Sequence, residues 1–84
     1  MDEMNPQLGE EMKNVVRNQI RQNDPPETKQ TYDRLIQEGF PEDEVIRKLA
    51  VVVAAEIYDV MKSQKPFNQE RYIKRLDKLP NEPK

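Results

Sequence analysis

Apolar residues recur along this chain at helical spacing, in four blocks separated by proline, glycine and asparagine. The third block sets the scale. Leu49 to Tyr58 reads Leu-Ala-Val-Val-Val-Ala-Ala-Glu-Ile-Tyr, the one long apolar run in a polar sequence. Extended to Pro41 and Ser63, it fits a helix turning by about 100° per residue. Ile46, Leu49, Ala50, Val53, Ile57, Val60 and Met61 then share one half of the circumference, and Glu44, Arg47, Lys48, Asp59 and Lys62 the other. Val51, Val52, Ala55 and Tyr58 interrupt the polar half, so the helix expects neighbours on more than one side. The apolar run is far shorter than the ~20 residues that span a bilayer.

The other blocks are shorter. Asn5-Pro6 suits a helix start, and Leu8, Met12, Val15, Val16 and Ile20 follow as a stripe. Asp24 is placed to cap a second helix, with Pro25 in its first position and Glu27 at capping-box spacing. Thr28, Tyr32, Leu35 and Ile36 form the expected buried face of that helix, and Gly39 its left-handed terminator. Phe40 is placed to staple onto Val45. Lys65-Pro66 closes the third helix, Asn68 caps a fourth, and Phe67 is placed to staple onto Tyr72. Tyr72, Ile73, Leu76 and Leu79 make the apolar face of that last helix. The expected fold is therefore all-α: a single domain over residues 1–84, four helices at about 6–22, 25–38, 41–63 and 69–79, the third one central, with flexible tails at 1–4 and 80–84.

Composition narrows the chemistry. With 84 residues, 36% of them charged and 35% hydrophobic, the core is small. Cysteine and histidine are both absent, which removes thiolate chemistry, disulfides, and the commonest general base and metal ligand. Ser63 is the only serine, and only two glycines are present, so neither an activated nucleophile nor a phosphate-cradling loop is built. The acids Glu42, Asp43 and Glu44 fit a helix N-terminus better than a metal site. The sequence is thus read as non-catalytic, without metal or cofactor. No charged-then-apolar leader precedes the first helix, which reads as a cytoplasmic protein with no membrane partner.

Charge is unevenly spread. Residues 1–61 carry a net −6 and residues 62–84 a net +4. The positive end includes Lys62, Lys65, Arg71, Lys74, Arg75 and Lys78, a candidate basic patch for phosphate backbone or an acidic partner; the bland alternative is a solvated face. Glu56, the one acid within the apolar run, is either a carboxylate in a pocket or an edge residue paired with Lys13 or another base. Val51, Ala55 and Tyr58 form either the seat of the last helix or a contact for another chain, and a four-helix chain's need to seat its last helix favours the first.

Asn5-Pro6-Gln7-Leu8, Gly39 ahead of Glu44 to Lys48, Ala55-Glu56-Ile57-Tyr58, and Pro66-Phe67-Asn68 through Tyr72 and Leu76 together resemble a bacterial family of small helical domains of unknown function. Its members show an Asn-Pro-x-Leu-His opening and a His-Glu-Ala-x-His stretch. The resemblance covers residues 5–79 in short motifs. Where the family shows histidines, this chain has Gly9, Lys13, Glu44 and Lys48. If the family pattern implies a metal or polar site between the first and third helices, the imidazoles are missing here, and Lys13, Glu44, Lys48 and Glu56 are expected to form an ion-pair cluster instead. The functional expectation is a protein–protein interaction or oligomerisation module, with a protein partner or a second copy of the chain as the partner. The alternatives are weak nucleic-acid association through the basic stripe and a degenerate ligand site around Glu56.

Overall fold

A computed structural model describes residues 6–81, which form four α-helices and no strand: α1 (Pro6–Gln22), α2 (Pro26–Gln37), α3 (Glu42–Ser63) and α4 (Gln69–Lys78). The all-α reading holds. The Asn5 cap, the side chain of Leu8, the tail 1–4 and residues 82–84 lie outside the described residues. Pro80 and Asn81, read as tail, still belong to the fold. Pro80 is half-buried, and the Asn81 amide donates to the Lys78 carbonyl at 2.9 Å.

The ends of the helices follow from local chemistry. After α1, Asn23 takes a left-handed φ of 54°. Its amide donates to the Ile20 carbonyl, and the Asp24 amide reaches back to Gln19 at 3.0 Å. After α2, Gly39 at φ 102° does the same, with Gly39 N–H on Ile36 and Phe40 N–H on Leu35. Both are paired-bond terminations that satisfy the last carbonyls of a helix. α3 ends one residue ahead of the Lys65-Pro66 stop, because Gln64 at φ 58° closes it by donating to Val60 at 2.9 Å.

The starts agree less well with expectation. α4 is capped as its sequence predicts, with the Asn68 side chain accepting from the Arg71 amide at 3.0 Å. The Phe67 and Tyr72 rings stand 5.7 Å apart, the geometry of a staple. α2 departs from its predicted start. Pro25, extended, occupies the cap position and Pro26 the first helical one, so Asp24 caps nothing. Two successive prolines explain the shift: the second keeps the first, which precedes it, extended, and its own fixed φ suits a first turn.

Packing gathers Val16 of α1, Leu35 of α2, Val45, Leu49 and Val52 of α3, and Tyr72 and Leu76 of α4, with Leu79 just beyond, into one core. On α2 the buried face is Thr28, Thr31 and Leu35, and Ile36, expected inside, lies at its edge with 38% of its surface exposed. Thr31 stands in its place because its hydroxyl donates to the Glu27 carbonyl one turn back, which lets a polar side chain be buried. α3 packs against all three other helices, but so does α2. The centre of the fold is shared by these two. α1 and α4 are the one pair of helices that do not pack on each other. No helix among the described residues is long and apolar enough to cross a membrane.

Gly39 has open space where a Cβ would stand, so replacing it tests backbone conformation alone. Gly39→Ala is expected to cost about 1–2 kcal/mol in urea denaturation, the penalty of a left-handed L-residue, with far-ultraviolet dichroism unchanged.

Candidate functional site

Glu56 is the starting point, because a carboxylate only 2% exposed must be compensated. The compensation comes from α4. Arg71 and Arg75 are one turn apart, each one residue before a buried core residue, so both flank the apolar face and reach α3. The Arg71 guanidinium donates through Nε at 3.2 Å to both Glu56 oxygens and through Nη2 at 3.1 Å to Oε1. Arg75 Nη1 donates to Oε2 at 2.7 Å. Asp59, one turn beyond Glu56, takes Arg75 Nη2 at 2.7 Å and lies 3.8 Å from Arg71 Nε. Two acids of α3 thus face two bases of α4. The hydrogen bond to Glu56 raises the Arg71 pKa above its usual value.

This arrangement corrects three expectations. Lys13 pairs with Glu10 at 3.7 Å and Lys48 lies over the Phe40 ring, while Glu44 stays half-buried in the first turn of α3. The cluster of Lys13, Glu44, Lys48 and Glu56 is therefore not assembled around Glu56. A forked guanidinium satisfies both oxygens of a buried carboxylate better than a lysine can. The basic stripe is divided as well: Arg71 and Arg75 are turned to α3. Lys62, Lys65, Lys74 and Lys78 are exposed and make no ion pair among the described residues. α4 sits on the flank of α3 marked by Glu56 and Asp59, so it does not cover Tyr58. That ring is 62% exposed under the Lys62 ammonium, and Val51 and Ala55 are half-buried.

The gap left where α1 and α4 fail to meet is a groove of about 570 Å³. Val15 of α1, Val53, Ile57 and Met61 of α3, Phe67 and Tyr72 form its apolar walls. Met61 at 72% and Phe67 at 54% exposure stand out at its mouth. Asp24 lies on the α1 side of the rim and has no ion pair among the described residues.

A polar contact bridges the floor. Gln19 Oε1 accepts from Thr28 Oγ1 at 2.9 Å and from the Tyr72 hydroxyl at 3.1 Å, and those two hydroxyl oxygens lie 2.7 Å apart. Three oxygens share two hydroxyl hydrogens, so two of the three contacts carry a hydrogen bond at any moment. Burial pushes the Tyr72 pKa up; the Thr28 hydrogen bond opposes this, and the negative charges of Glu56 and Glu27 add to it. The sequence reading missed both groove and bridge. The available signals were Tyr72 itself, since a buried tyrosine needs a partner for its hydroxyl, and Thr28 on the same α2 face as Leu35.

Compared with protein-family models, with curated proteins and with solved structures, the chain finds no match in any of the three.

Two outcomes follow from this geometry. Glu56→Gln is expected to lower stability by about 2 kcal/mol in urea denaturation, because the amide loses the negative charge and turns an NH2 donor toward one of the guanidinium groups. The elevated Tyr72 pKa makes the folded state the stronger proton binder. Its contribution to stability is complete below pH 10 and is lost as pH rises through the folded pKa. Urea midpoints measured from pH 8 to 11 should fall more steeply above pH 10 for the parent chain than for Tyr72→Phe.

Proposed function

We propose that this chain is a non-catalytic interaction module that receives apolar side chains of a protein partner in the groove between α1 and α4. One observation carries the reading: the missing α1–α4 contact leaves Val15, Ile57, Met61 and Phe67 partly exposed around one recess, in a chain with few hydrophobic residues to spare. The volume lies within the ~300–1,000 Å³ of known binding pockets, and the walls are apolar with few polar groups. The absence of histidine and cysteine from the sequence supports a binding role over a catalytic one. The groove replaces the Val51, Ala55 and Tyr58 face as the preferred contact, because its apolar side chains converge on a recess. Tyr58 stands on open surface with a lysine across its ring. Nucleic acid is the weaker reading, since the two arginines best suited to phosphate are bound to Glu56 and Asp59.

The test is a neutral apolar dye, N-phenyl-1-naphthylamine, added to dilute protein. Its fluorescence should rise with saturable binding, and Ile57→Glu should weaken that binding at least about tenfold while helicity is kept. No binding by the parent chain at any protein concentration would mean that the groove does not open to apolar groups in solution.

A further inference from the structure

The groove's own rim indicates which protein surface it fits. A two-fold interface is made from the same patch used twice, so the patch must be complementary to itself in shape and in charge. This one meets both requirements. Its shape combines a recess of about 570 Å³ with two side chains, Met61 and Phe67, that project from the edge of that recess. Each copy can therefore offer what the other receives.

The charges divide the same way. On the α1 side stand Asp24, in the rim, and Glu11, exposed one turn before Val15 on the same helix face. On the α3–α4 side stands Lys65, exposed and two residues before Phe67, whereas Lys62 turns away to the Tyr58 ring. None of these three groove-edge charges makes an ion pair among the described residues. A two-fold rotation through the groove lays the acidic edge of one copy against the basic edge of the other, twice per interface. A groove flanked by a single sign of charge would repel its own copy.

From this self-complementarity we infer that the occupant of the groove is a second copy of this chain, docked as a two-fold dimer. Met61 and Phe67 of each copy enter the groove of the other, and Asp24 faces the partner's Lys65. The inference rests on the interaction-module reading and specifies its partner.

Charge exchange tests it. Asp24 and Lys65 are both exposed, so Asp24→Lys and Lys65→Asp should each leave the fold intact. Sedimentation equilibrium of the parent chain should show a monomer–dimer equilibrium. Each variant alone should dimerise at least about tenfold more weakly, because both contacts become like-charged. Mixed in equal amounts, the two variants should dimerise again, since both contacts are then oppositely charged. Naphthylamine binding per chain should fall as the parent chain is concentrated. A parent chain that stays monomeric overturns the dimer; if it still binds the dye, the interaction-module reading survives, and if it does not, both readings fail. A dimer insensitive to both charge variants and broken by Tyr58→Glu would place self-association on the other face of α3 and overturn the inference.

Discussion

The position of the last helix depends on one carboxylate. α4 spans ten residues, fewer than the ~12–15 that an isolated helix needs in water, so tertiary contacts must hold it. Tyr72 and Leu76 supply burial, which has little directionality. Glu56 supplies direction: both its oxygens are engaged, and the same guanidinium groups reach on to Asp59. A buried ion pair of this kind adds little net stability over an apolar contact, but it penalises any other register of α4 on α3, because a shift strands a desolvated charge. Arg34 fixes the other end by donating to the Leu76 carbonyl at 3.1 Å.

Once α4 is fixed on that flank of α3, it cannot also cover α1. The groove is the result. The Gln19 side chain of α1 and the Tyr72 hydroxyl of α4 meet across the groove floor, where a hydroxyl network holds its two sides at a set distance. Clamp and groove are thus two consequences of one placement. Glu56 belongs to both, since it lines the recess while its charge is neutralised from the side. That neutralisation allows the recess to remain apolar in character next to a carboxylate.

Most of the fold was legible because it was written in local signals. Gly39, Asn68 and the Phe67–Tyr72 pair act over a few residues, and each took its predicted role. The start of α2 was misread because two adjacent prolines both satisfy the rule for a first helical residue, and only the second position proved helical. The site was legible in its members but not in its pairings. Glu56 stood out as an acid in an apolar run, and Arg71 and Arg75 as bases on α4. Their partnership links positions fifteen and nineteen residues apart, which no helical periodicity connects. Lys13 was a reasonable partner on charge alone, and the interhelical geometry decided against it. The groove was invisible for a related reason: it comes from a contact that two helices do not make.

The charge asymmetry between the two parts of the chain acquires a different meaning in this light. Read along the sequence, a negative body and a positive end suggest an external acidic partner. In the fold, part of that contrast is spent internally, where Arg71 and Arg75 meet Glu56 and Asp59 across the α3–α4 contact. Of what remains, Asp24 and Glu11 stand at one edge of the groove and Lys65 at the other. A partner with one uniform sign of charge would gain at one edge and lose at the other. A partner carrying the same division in reverse order gains at both, and a copy of this chain, rotated by a half-turn, presents that order.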